Sequence, residues 1–117
     1  MEHELNLAVK QGDLDRVLLL LSKGADPSAF YHNAIYLSIA YGHVDITKVL
    51  LATGNTSIRW AGMYALWSAS ERGHTDTVRF TLDEHKRIGR RFSMFHRAVA
   101  LLLALSKGHG RTALVII

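Results

Sequence analysis

The sequence predicts an all-α solenoid of about four stacked helix-turn-helix units joined by short turns. Three observations lead there. A glycine recurs at positions 12, 42, 73 and 108, spacings of 30, 31 and 35 residues, and arrays of helical repeats have periods of this size. Four residues before each glycine stands a small residue, Ala8, Ser38, Ala69 or Ala104, which lets helices approach closely. Five residues after it come Val17, Thr47, Val78 and Ala113, and nine after it Leu21, Leu51, Leu82 and Ile117. These two columns are expected to form the inward stripe of a second helix.

Helices are expected at 3–11, 14–22, 33–41, 44–52, 63–72, 75–84, 94–106 and 110–117, in units of roughly 1–31, 32–61, 62–92 and 93–117. Within each unit the glycine ends the first helix, because it adopts the left-handed closing conformation without a side-chain penalty. Asp15, Asp45 and Asp76 follow three residues later. In the first turn of the second helix they face unpaired amide donors and the positive end of the dipole. The fourth unit has Arg111 there and is the least regular. Between units lie "SKGADPSAFYHN", "ATGNTSIRWAG" and "DEHKRIGRRFS". These read as turns, the first holding the only proline, Pro27.

Composition narrows the function. With 117 residues, 49% hydrophobic, the chain is one domain able to bury a core. It has no cysteine, so disulfides and thiolate zinc sites are excluded. The acidic start "MEHELNLAVKQGD" lacks the pattern of a secretory signal, and the longest apolar run, "AVALLLAL", is eight residues, far short of a membrane span. An intracellular, cytoplasmic protein is expected. Charge is uneven: residues 1–58 carry four Lys/Arg against six Asp/Glu, and residues 59–117 ten against four.

The stretches "LNLAVKQGDLDRVLLLLSKGADPSA", "IYLSIAYGHVDITKVLL" and "ALWSASERGHTDTVRFTL" resemble the ankyrin repeat family. Shared are a leucine, two small residues, a glycine-histidine pair, an acidic turn and a leucine-rich second helix. The likeness is strong in three units and weak in the fourth. The Thr-Pro-Leu-His opening is replaced by "NAIY" and "YALW", and the first two units fall short of the usual length of about 33 residues. Stubby turns are therefore expected in place of full fingers. The resemblance implies a protein-binding module whose turn tips and first-helix surfaces form the contact face.

Chemistry finds little support. His43, His74 and His109 occupy one column, and equivalent positions in stacked units lie about 8–10 Å apart, too far to share a zinc ion bound at about 2.0–2.1 Å. They are expected to start the second helices and bond nearby backbone; unit one has Asp13 there, a good helix-start residue. "KGHGRT" lacks the framing of a phosphate loop. Asp83 and Glu84 are expected in a solvated turn, and no serine has a recurring His and acid beside it. No catalytic, cofactor or metal site is expected.

The expected partner-binding residues are Phe30, Tyr31, Tyr41, Arg59, Trp60, Met63, Arg72, Arg90, Arg91 and Phe92. They lie in turns or at first-helix ends and belong to types enriched in interfaces. Trp67 and Tyr36 are expected in the core. Two alternatives accompany this reading. One is nucleic-acid or polyanion contact through the basic 85–97 segment, with Lys86, Arg87, Arg90, Arg91 and Arg97; the other is self-association through the apolar C-terminal unit, Leu114 and Ile116 included.

Overall fold

A computed structural model describes all residues, 1–117. Eight helices run in chain order: α1 Glu2–Gln11, α2 Leu14–Ser22, α3 Ala29–Ala40, α4 Val44–Ala52, α5 Met63–Glu71, α6 Thr75–Arg87, α7 Met94–Ser106 and α8 Gly110–Ile116. A single 3-10 turn, Ile58–Trp60, precedes α5, and there is no strand. First helices stack α1 on α3 on α5 on α7, and second helices α2 on α4 on α6 on α8. The result is an elongated body of 40 × 28 × 19 Å.

The glycine column closes each first helix by the same device. Gly12, Gly42, Gly73 and Gly108 have φ between 74° and 78°. The following N–H then reaches back to the carbonyl of the small residue: Asp13 to Ala8, His43 to Ser38, His74 to Ala69 and His109 to Ala104, at 2.8–3.0 Å. The same residue's carbonyl accepts the first bond of the next helix, from Val17, Thr47, Val78 or Ala113. One residue thus finishes one helix and begins another, which explains why a joint of two or three residues suffices.

The small column and the column five after glycine are buried throughout. The column nine after glycine needs correction: Leu21, Leu51 and Leu82 are half-buried and Ile117 is exposed. The stripe lies one residue earlier, at Leu20, Leu50, Thr81 and Ile116, all buried. Trp67 and Tyr36 likewise sit at the core's margin; the Trp67 indole N–H donates to the His96 carbonyl at 2.8 Å, linking α5 to α7.

The aspartates act more locally than expected. Asp45 accepts from the Ile46 amide, and Asp76 pairs with Arg79. Helix α6 runs three residues past its expected end, so Asp83 and Glu84 are helical and do not lie in a turn. Glu84 receives two Nε contacts and one Nη2 contact from Arg87, an i,i+3 pair that explains the extension.

The histidines do something other than cap. None makes a side-chain cap bond. Instead each ring lies over the glycine of the preceding unit: a Cβ on Gly12 would fall 2.5 Å from the His43 ring, on Gly42 from the His74 ring, and on Gly73 from the His109 ring. His43 Nε2 also lies 3.2 Å from the Lys10 carbonyl. Of these four joints only Asp13 caps by side chain, accepting from the Arg16 amide.

Candidate partner-binding site at the turn tips

The first turn has an unusual backbone. Phe30, Tyr31 and His32, none of them glycine, are successively left-handed, with φ of 56°, 57° and 61°. Each such residue costs about 1–2 kcal/mol. Asp26 anchors the entry, accepting from the Ser28 amide and hydroxyl, which together hold its carboxyl below the usual value. At the exit, His32 stacks flat on Trp60, ring centres 4.4 Å apart, and its Nδ1 lies 2.9 Å from Thr56 Oγ1. Between these anchors Phe30 leans on His3, and Tyr31 is 97% exposed.

The Trp60 stack joins the first turn to the second, and Arg59 lies 5.3 Å from the Trp60 ring centre. Arg59 in turn lines a cleft of about 380 Å³ with Met63, Arg90, Arg91 and Phe92. Half of the ten expected residues therefore share one cavity. Four further residues complete it that sequence reasoning missed: Gly62, Tyr64, His85 and His96. Tyr64 had a signal, since the position nine before each glycine reads His3, Asn33, Tyr64 and Val99 and varies as a contact position should.

His85 corrects the expectation that residues 85–92 form a solvated turn. It is only 5% exposed, because α6 carries it beneath the second turn, where its Nε2 bonds the Ala61 carbonyl at 3.0 Å. Its ring packs against Phe92, centres 4.4 Å apart. Burial pushes the imidazole below its usual value, against the Ala61 bond, and the Arg90 charge adds to that push. The ring is a wall against which Phe92 packs.

Tyr41 and Arg72 form a separate cluster at the first-helix ends. The Arg72 guanidinium lies 4.4 Å from the Tyr41 ring centre and donates to the Ala40 carbonyl at 3.1 Å. Lys10 sits 5.5 Å from the same ring. The ladder ties units one to three together and leaves Tyr41 half-buried.

The basic segment is not a free stripe. Arg87 is engaged by Glu84, and Arg97 Nη2 donates to the Ile116 carbonyl at 2.8 Å. No three His, Asp or Glu side chains converge to hold a metal. A larger concavity, about 930 Å³ between α6 and α8, contains none of the ten expected residues.

A family model for ankyrin repeats matches residues 5–92 in three copies. The chain belongs to the ankyrin repeat family. The match ends at Phe92, so α7 and α8 of this ankyrin array lie beyond it. A comparison with curated proteins gives no match. Ankyrin repeats are in general protein–protein interaction modules, and no helix here is long and apolar enough to cross a membrane.

Proposed function

We propose that this array is a non-catalytic module that binds a protein partner through its turn tips, with the Tyr41–Arg72 ladder on the first-helix ends as a second contact region. The observation that carries the reading is the left-handed turn at Phe30–His32. Three left-handed non-glycine residues cost the fold stability, and Tyr31 at the apex is 97% exposed. Strain of this kind persists where a protein displays something.

The experiment is Tyr31→Gly. Glycine accepts φ near +57° freely, so relief of about 1–2 kcal/mol exceeds the roughly 0.5–1 kcal/mol entropic penalty of glycine. The variant is expected to be more stable in urea and to capture less partner from a lysate in quantitative affinity capture. Unchanged recovery of every captured protein would remove the turn from the interface.

One observation favours a second reading, association of two copies through the fourth unit. Leu105 is exposed, whereas its column equivalents Val9, Ile39 and Ser70 are fully covered by the next unit. Leu114 and Ile117 of the same unit are exposed, but Ile116 is buried and is not a contact candidate. Light scattering of Leu105→Glu against wild type tests this; two monomers would end it.

A further inference from the structure

The cleft has a chemical bias. Every ion pair in the protein lies elsewhere: Glu4 with the N-terminus and Arg16, Asp76 with Arg79, Glu84 with Arg87. Arg59, Arg90 and Arg91 line the cleft without a carboxylate among the lining residues, and none of the three makes a side-chain hydrogen bond. The remaining walls include Met63, Tyr64 and Phe92, apolar and aromatic surfaces suited to methylene stems. Guanidinium forks beside such walls match the shape and charge of a carboxylate on a short stem.

We propose that this cleft receives the carboxylate side chains of an acidic peptide segment carried by the protein partner. The proposal rests on the reading of the chain as a partner-binding module and names the chemistry of that partner. A peptide is favoured over nucleic acid by the distribution of free cations. A strand of phosphates needs a continuous track, but Arg87 and Arg97 are engaged internally and residues 1–58 carry an acidic excess. Three guanidinia in one pocket suit a locally acidic ligand.

The probe is a short fluorescein-labelled peptide of alternating Glu and Ala, measured by fluorescence anisotropy at low salt. Binding is expected, with about tenfold loss for Arg59→Gln, Arg90→Gln or Arg91→Gln, equivalent to about 1.4 kcal/mol each. Lys107→Gln removes one charge from an exposed site outside the cleft and is expected to leave affinity unchanged. Circular dichroism confirms that each variant is folded.

Equal affinity for a Gln-for-Glu peptide, or equal loss with Lys107→Gln, would overturn the proposal. So would tighter arginine-dependent binding of a single-stranded oligonucleotide. The two readings fail separately. If Tyr31→Gly loses partners but the Glu peptide neither binds nor displaces them, only the carboxylate assignment falls. If the peptide binds in the cleft while Tyr31→Gly loses nothing, the turn reading falls instead.

Discussion

Replacing Gly42 with alanine tests how the units are coupled, because a second glycine isolates the effect. Gly42 and Gly54 have nearly identical left-handed backbones, φ of 78° and 76°. At Gly54 an added Cβ meets nothing within 4 Å; at Gly42 it falls 2.5 Å from Cγ and Nδ1 of His74. The left-handed penalty of about 1–2 kcal/mol, less a gain of about 0.4–1 kcal/mol from a stiffer unfolded chain, leaves a loss of about 1 kcal/mol for Gly54→Ala. Gly42→Ala suffers the same and must also displace the imidazole at its root, where rotation gives little relief. Overpacking of this kind adds about 1–3 kcal/mol. Urea denaturation should therefore separate the variants by about 1 M in midpoint, at a slope of about 1–3 kcal/mol/M. In a His74→Ala background the gap should close. Equal midpoints for the two single variants would mean that His74 does not rest on Gly42 and that the column is glycine for its backbone alone.

Other expectations follow from buried polar groups. Burial and neighbouring positive charge lower the pKa of His74, and burial, with Arg90 adding, lowers that of His85, both below the usual 6.5. The unfolded chain therefore takes up protons first, so stability is full above about pH 6.5 and falls as pH drops through the folded values; a His74→Gln, His85→Gln variant should show a flatter dependence of urea midpoint on pH between 8 and 5. Thr47 Oγ1 donates to Ser38 Oγ at 2.7 Å, and both residues are fully buried. Thr47→Val should lose about 1 kcal/mol, and Ser38→Ala should lose clearly less in that background than alone, by urea denaturation; additive losses would show that the two hydroxyls act independently. Tyr31→Gly should raise the midpoint, and a lower one would show that the turn is not strained.

Helix order was legible because the repeat is written in residues with one dominant physical role. Glycine at a left-handed stop and alanine at a close approach have few substitutes, so the columns survive variation around them. The inward stripe slipped by one residue for the opposite reason: "VLLLLS" offers Leu18, Leu19, Leu20 and Leu21, and composition cannot say which faces in. Burial of His85 was hidden in a run of charged residues, although Glu84 and Arg87, three apart, are a helical pair that could have extended α6. The left-handed Phe30–His32 turn had no signature, since aromatic residues are poor formers of that conformation. Seven of the ten expected site residues fell into two clusters that only stacking could reveal, five in the cleft and Tyr41 with Arg72 apart from it. Arg59 and Arg90 meet across 31 positions of sequence because α5 and α6 bring the second and third turns to one place.

The histidine column and the cleft are connected by that stacking. The glycine joints of the first three units are each completed by a ring from the next unit, so the helix stop of one unit is part of its neighbour's interface. Such nearest-neighbour terms hold a linear array together. The cleft draws on them. Arg59, Arg90 and Arg91 share its lining with no carboxylate among the lining residues, so no ion pair there draws them together. Their convergence is maintained by the rigid seating of the turns, through the His32–Trp60 stack, the His85–Ala61 bond and the Trp67–His96 bond. A ligand carboxylate entering there would meet arginines carried on turns that the scaffold already holds in place, with little ordering required of the protein.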